Sequence, residues 1–332
     1  MHPAPAQDPQ SQYWVKVARE ALAHYAPALQ AASCTVLART HNVVFLLESP
    51  SQRHILRLHT YAMPLHRLES EMQWLAYLAQ AGISVPRPVP TQAGAWYALA
   101  QAEPQMAGVV FEYLGGEHRP LEALSLGDVR AIGVLLAQLH QAADGFSLPP
   151  DFALNRLDLE GLFGEMGRYA LGGLSNLFSS STLNHMSAVV EQVRHSFAQL
   201  QPQAGVMGIL HGDLHQQNIL FEGEHVHALD FEYAGIGFYL YDFTPLLWQL
   251  KLRPNYAELE HTLWDAYTAL RPLPEHRQHL ETLIAARQVA SMRWLALNRD
   301  NPSIHPHAER LIAQRDQELQ TYLQTGILQR KS

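Results

Sequence analysis

Apolar residues recur at helical spacing between Ser11 and Tyr25, where Trp14, Val17, Ala18, Ala21 and Leu22 share one face and Pro27 closes the segment. The period then shortens. Val43-Val44-Phe45-Leu46-Leu47 and Ile55-Leu56-Arg57-Leu58 are apolar runs divided by the polar Glu48-Ser49-Pro50-Ser51-Gln52-Arg53, the pattern of a β-hairpin. A helix is predicted over Leu65 to Ala81, with Gly82 as its stop. Val85-Pro86-Arg87-Pro88-Val89-Pro90 is held extended by its prolines, and Trp96 to Ala100 and Val109 to Tyr113 read as two further strands. Beyond Gly115-Gly116 the pattern turns helical. Ser125 to Ala143 opens on a capping box, Ser125 with Asp128, and lines Leu126, Val129, Ile132, Leu136 and Leu139 along one stripe. Helical spacing also marks 183–200, 240–250, 256–270, 276–298 and 307–325, with a β-like insert from Gly208 to Phe231. The expectation is an α+β chain in two parts: 1–114, a small lobe with a leading helix and an antiparallel sheet, and 115–332, a larger helical lobe.

Composition narrows the classes of function. The 332 residues exceed what one core usually holds, and 47% hydrophobic against 16% charged residues excludes a disordered chain. Lys and Arg number 23 against 31 Asp and Glu, a net charge of −8 with no basic tract, so nucleic acid is not an expected partner. Cys34 is alone and cannot form an intrachain disulfide. Met1-His2-Pro3-Ala4-Pro5 lacks the basic start and apolar run of a signal peptide, and no apolar stretch approaches the roughly 18 residues of a membrane helix. A cytoplasmic protein without a membrane partner is expected; the sequence sets no oligomeric state. The 19 histidines are scattered, as at His24, His66, His140 and His195, and read as ordinary surface or core residues rather than as a metal cluster.

The insert carries the chemistry. In Ile209-Leu210-His211-Gly212-Asp213-Leu214-His215-Gln216-Gln217-Asn218-Ile219-Leu220-Phe221 a polar loop lies between apolar strands, and Leu229-Asp230-Phe231-Glu232 places another aspartate at the end of the next strand. Carboxylate and amide oxygens are hard ligands suited to magnesium, which takes few protein oxygens alongside substrate phosphates. A carboxylate beside such a metal can accept a hydroxyl proton while charge on a transferring phosphoryl group is stabilised. Singly, Asp213, Asn218 and Asp230 would pass for turn residues. Together, at this spacing and between two strands, they are candidate catalytic and metal-binding residues.

His-x-Asp-x-x-x-x-Asn, followed by an aspartate opening the next loop, is the catalytic-loop pattern of the protein-kinase-like fold. His211-Gly212-Asp213-Leu214-His215-Gln216-Gln217-Asn218 resembles the aminoglycoside phosphotransferase and choline kinase-like group of small-molecule kinases, which includes type II homoserine kinases. Val110-Phe111-Glu112-Tyr113-Leu114-Gly115-Gly116 is similar to the group's hinge, Leu136-Ala137-Gln138-Leu139-His140 to its first large-lobe helix, and Tyr239-Leu240-Tyr241-Asp242 to its Tyr-Asp element. The resemblance implies a bilobal fold with ATP between a five-stranded small lobe and a helical large lobe. The reaction it implies is transfer of the γ-phosphate to a hydroxyl of a small molecule such as an aminoglycoside, choline, ethanolamine or homoserine. Asp213 would be the catalytic base, and Asn218 and Asp230 the ligands of Mg²⁺. Arg57 would meet the α and β phosphates with Glu71 as its helical partner, and backbone groups of Glu112 and Leu114 would meet the adenine edge. ATP and Mg²⁺ are the implied cofactors, and a small-molecule hydroxyl acceptor the implied partner.

Two positions depart from the group's pattern. Arg57 stands where lysine is usual, a wider and bidentate group. Ala38-Arg39-Thr40-His41-Asn42-Val43, in the place of the nucleotide loop, has no glycine, so a close backbone cradle for phosphates is looser or made differently. That motivates an alternative, a nucleotide-binding kinase-like protein with weak catalysis. A serine/threonine protein kinase of the same fold is another, although no long segment ending in Ala-Pro-Glu follows Asp230. His211 and His215 are four apart, a zinc-ligand spacing, but Gly212 stands where a zinc protease needs glutamate. Asp242 reads as a cap or a buried bond to the catalytic loop. Trp248, Trp264 and Trp294 read as core rather than a cage for a quaternary amine. Arg287 and Arg293, six apart, read as exposed residues rather than a fork for an acceptor carboxylate.

Overall fold

Val43, Phe45 and Leu47 are buried at alternate positions of one strand, Leu56 and Leu58 lie in its neighbour, and the first of two compact units forms around them. The structure is a computed structural model that describes residues 9–39, 42–60, 64–102, 105–201, 203–273, 276–301 and 304–328. One unit takes in the chain up to Gly115 with Leu148–Ala153; the other takes in Gly116–Ser147 with the chain from Leu154.

The first unit runs α1 (Pro9–Leu22), α2 (Pro27–Gln30), β1 (Ser33–Arg39), β2 (Asn42–Glu48), β3 (Arg53–His59), α3 (Leu65–Gln80), β4 (Pro88–Val89), β5 (Ala98–Ala100) and β6 (Met106–Glu112). Its sheet has the order β1-β2-β3-β6-β4, with β5 also on β6, and every pairing is antiparallel. The sheet therefore has six strands, not five. The additional one is β1, whose Ser33-Cys34-Thr35-Val36-Leu37-Ala38-Arg39 is mostly exposed and so shows no apolar run. Ala38 and Arg39 end β1 and Asn42 and Val43 begin β2, so the glycine-free segment joins a hairpin; Thr40 and His41 lie outside the described residues. Phe45, Leu47, Leu56 and Leu58 are fully buried, and each contributes roughly 2 kcal/mol through apolar burial. On α1, Val17, Ala18, Ala21 and Leu22 join the same core. The helix comes so close to β6 that a Cβ on Gly108 would sit 2.8 Å from that of Ala21, which is why the strand carries glycine there.

The second unit opens with α4 (Leu126–Gly145). Ser125 Oγ accepts from the Asp128 amide at 3.1 Å while the Asp128 carboxylate accepts from the Ser125 amide at 2.8 Å, the reciprocal cap its sequence calls for. There follow β7 (Asn155–Leu157), α5 (Leu159–Phe163), α6 (Ser180–Leu200), β8 (Met207–Leu210), β9 (Ile219–Glu222), β10 (His225–Ala228) and β11 (Gly235–Phe238). The chain closes with α7 (Thr244–Leu250), α8 (Tyr256–Leu270), α9 (Leu280–Leu297) and α10 (Ala308–Thr325). Strands β9 and β10 form a hairpin, and β8 and β7 flank β11, one antiparallel and one parallel. Helix α9 is packed by α6, α7 and α10. The 240–250 segment is a 3₁₀ turn, Tyr239–Phe243, before α7, and Arg277–His279 likewise precedes α9. Among the described residues no helix is long and apolar enough to cross a membrane.

Candidate active site

Strand β8 delivers the chain into His211-Gly212-Asp213, and two amides at the start of that loop are fixed by one carboxylate. Asp242 accepts from the His211 amide through Oδ2 and from the Gly212 amide through Oδ1, both at 2.7 Å. The buried His140 contacts the same carboxylate at 3.2 Å through Nε2, and its Nδ1 meets the Tyr267 hydroxyl at 2.9 Å. Burial, against the pull of Asp242, holds the His140 imidazole below its usual range. Gly212 sits at φ +79°, and a Cβ there would lie 2.5 Å from the Tyr233 carbonyl oxygen, so the turn into Asp213 requires glycine.

The β9–β10 hairpin then brings the second loop beside the first. The Leu229 amide donates to the Asn218 carbonyl at 2.9 Å, and the Leu229 carbonyl accepts from His211 Nε2 at 2.8 Å. His211 Nδ1 in turn accepts from the Asp213 amide at 3.3 Å, and Asn218 Nδ2 donates to the Asp213 carbonyl at 3.0 Å. Asp213, Asn218 and the residue just before Asp230 are thus tied into one hydrogen-bonded frame. Asp230 follows with φ 62° and ψ 70°, the only non-glycine residue at positive φ among those described. A left-handed aspartate costs of order 1 kcal/mol and is retained where the surroundings determine it. Both His211 nitrogens are engaged within this frame, so His211 and His215 do not make a zinc pair.

Asp213 is buried at 8% exposure among positive charge. Arg287 of α9 donates to its Oδ1 through Nη2, and His215 Nε2 stands 3.8 Å from its Oδ2. Burial alone would raise the Asp213 carboxyl, but the Arg287 guanidinium, followed by His215, Arg168 and His211, holds it below the usual carboxylate range. Burial lowers the His215 imidazole despite the pull of Asp213. Arg287 is raised by the same pairing against its own desolvation. The expectation of exposed arginines is corrected here, since the Arg287 side chain is 13% exposed and Arg293 5%. Sequence reasoning did not single out Arg168 or Tyr169, nor the pairing of Arg287 with Asp213. The available signal was α9, an almost wholly buried helix that carries Arg287 and Arg293, because buried charge needs a reason.

In the first unit, Arg57 and Glu71 form a buried ion pair, Nη2 to Oε1 at 2.7 Å, with side chains 9% and 4% exposed. The Glu112 amide donates to the Arg87 carbonyl at 2.9 Å at the end of β6, and Leu114 follows two residues later outside any strand.

The donor set suits magnesium. The fixed Nδ2 of Asn218 leaves its Oδ1, and Asp230 is an exposed carboxylate on the adjoining loop. Among the described residues no group of three or more His, Cys, Asp or Glu is arranged to hold a metal. Two hard oxygens complemented by substrate phosphates are what this ion commonly takes.

A sheet-bearing unit, a helical unit and these two loops together define a protein-kinase-like phosphotransferase. A solved microcompartment-associated aminopropanol kinase shares the fold with a TM-score of 0.82 at 24% identity, over 95% of this chain and 99% of that one. Amicoumacin kinase hAmiN, solved with AMP-PNP, Ca²⁺ and Ami, does so with a TM-score of 0.71 at 19% identity, over 92% and 93%. The model of the phosphotransferase enzyme family matches residues 33–273, and the chain belongs to that family. A homoserine kinase of Nitrobacter winogradskyi is 28% identical over 263 residues, covering 76% of this chain and 74% of that protein. The protein is accordingly a kinase that acts on an alcohol group.

Proposed function

We propose that this kinase transfers the γ-phosphoryl group of ATP, taken with Mg²⁺, to a hydroxyl of a small molecule, with Asp213 as the base. The observation that carries the reading is the frame joining Asp213, Asn218 and Leu229 through His211. It supplies a deprotonated carboxylate for the acceptor hydroxyl and two metal-binding oxygens on one rigid scaffold. Asn218 Oδ1 and the Asp230 carboxylate would hold Mg²⁺, which when bound offsets charge on the phosphates. Asp213 orients the acceptor hydroxyl and takes its proton as that oxygen bonds to the γ-phosphorus. The bond from phosphorus to the β–γ bridging oxygen breaks and ADP leaves. A carboxylate held at low pKa is a weak base, which suits a loose transition state in which the proton moves late. Arg57, set by Glu71, would meet the α and β phosphates. The Glu112 carbonyl and Leu114 backbone would meet the adenine edge, since the Glu112 amide already serves Arg87.

Thermal-shift titration tests this reading. ATP with Mg²⁺ should raise the melting temperature of the wild type, and a ligand at a hundredfold excess over its Kd contributes about 2.7 kcal/mol. Asp230→Asn keeps a residue that tolerates the left-handed backbone and should lose the Mg²⁺-dependent part of the shift. An unaltered shift in that variant would remove Asp230 from the metal site.

A further inference from the structure

Three arginines of the second unit converge on Tyr169. Arg168, its chain neighbour, places its guanidinium carbon 3.1 Å from the centroid of the Tyr233 ring and 5.1 Å from that of Tyr169. Arg287 donates to the Tyr169 hydroxyl at 3.3 Å and to Asp213. Arg293 donates to the Tyr169 carbonyl at 2.8 Å. Among the described residues only one carboxylate, Asp213, pairs with any of the three. Arg168 is half-buried and has no hydrogen bond or ion pair there, while Arg287 Nε and Arg293 Nε are buried without a partner. Burial pulls the Arg293 guanidinium down to about 10, with no acid to offset it. The Tyr241 hydroxyl is also buried and unpartnered, among Tyr169, Arg287, Arg168 and Asp213.

For the fold alone this arrangement is a loss. Burying a guanidinium without counter-charge and leaving buried donors without partners are both unfavourable. An anion arriving with the substrate would satisfy both deficits, and arginine's planar fork suits carboxylate or phosphate oxygens. Proximity to Asp213 places that anion on the molecule whose hydroxyl Asp213 serves. We infer that the Arg168, Arg287 and Tyr241 cluster receives an anionic group, carboxylate or phosphate, of the phosphate acceptor, which is therefore a small hydroxy acid or hydroxyalkyl phosphate and not a purely cationic amino alcohol. The inference rests on the assignment of Asp213 as base. An anion there also competes with Asp213 for Arg287, so the acceptor loosens the clamp on its own base as it binds.

The test uses the full chain at saturating AMP-PNP and Mg²⁺, so that nucleotide phosphates are already in place. Thermal-shift titrations compare L-homoserine, 4-hydroxybutanoate, sn-glycerol 3-phosphate and 3-aminopropan-1-ol, the last being homoserine without its carboxylate. At least one of the first three should raise the melting temperature and 3-aminopropan-1-ol should not; whether the carboxylates or the phosphate ester act identifies the anion. Arg168→Gln, a half-buried position that folding should tolerate, should weaken the effective ligand at least tenfold, and Arg287→Lys should weaken it while keeping the charge. A shift from 3-aminopropan-1-ol at or above that of the anions, no shift from any anion up to 100 mM, or full binding in Arg168→Gln would each overturn the inference. Failure of the underlying assignment reads differently: anions would bind through Arg168 while Asp213→Asn left turnover unchanged.

Discussion

Arg287, in the middle of α9, donates to the carboxylate of Asp213, 74 residues earlier in the chain. The pair is buried, and it reverses what burial alone would do to an aspartate. It keeps the loop carboxylate charged at neutral pH and joins the His211–Asn218 loop to the helical core.

Replacing Arg287 with glutamine should therefore change the pH profile. Asp213 is held below the usual carboxylate range in the wild type, so it should impose no acid limb on kcat/KM between pH 5 and 8. In Arg287→Gln burial is no longer opposed by that charge, and the carboxyl should rise. Activity should then decline as pH falls from 7 to 5. An unchanged profile would show that Arg287 does not govern Asp213.

Asp242 is 1% exposed and holds the amides of His211 and Gly212 at the start of the Asp213 loop. Asp242→Ala should cost about 3 kcal/mol or more, because each orphaned buried donor costs of order 1–3 kcal/mol. Urea unfolding reads this directly. Asp242→Asn retains one acceptor oxygen and should lose less; equal stability of wild type and Asp242→Ala would refute the role.

Removing one partner of a buried ion pair takes away the other's counter-charge. Glu71→Ala should destabilise the protein by about 3–5 kcal/mol. Glu71→Gln can still accept from Arg57, and it should fold well enough to show a raised KM for ATP at nearly unchanged kcat. A KM equal to the wild-type value would separate Arg57 from the nucleotide.

Seven histidines, His54, His59, His140, His215, His227, His276 and His279, are lowered chiefly by burial. The folded state then binds fewer protons than the unfolded chain below about pH 6.5, so their contribution is intact above that pH and is lost as pH falls. Urea midpoints should hold above about pH 6.5 and fall between pH 6.5 and 5.5, and a flat line over that lower range would contradict the lowering of these residues.

Where an element declares itself in the sequence, it does so through repetition. The hairpin of β2 and β3 offers alternate burial over seven residues a side, and α4 carries both members of its cap. Strands β7 and β11 have three and four residues, too few to show a period, and they pair in parallel only once the intervening chain has folded. The same distinction runs through the site. Asp213, Asn218 and Asp230 lie within one hairpin and its flanks, so their spacing is local information. Arg168 and Arg287 reach Asp213 from a loop and a helix far along the chain, and tertiary packing alone brings them there.

The most direct measurement is acceptor-dependent ADP formation by Asp213→Asn beside the wild type, with Mg²⁺ and ATP saturating and AMP-PNP binding measured in parallel. General-base catalysis contributes roughly 10²–10⁴-fold, so turnover should drop by about that factor while AMP-PNP binds as before. Undiminished turnover with intact nucleotide binding would contradict Asp213 as the base and with it the proposed mechanism.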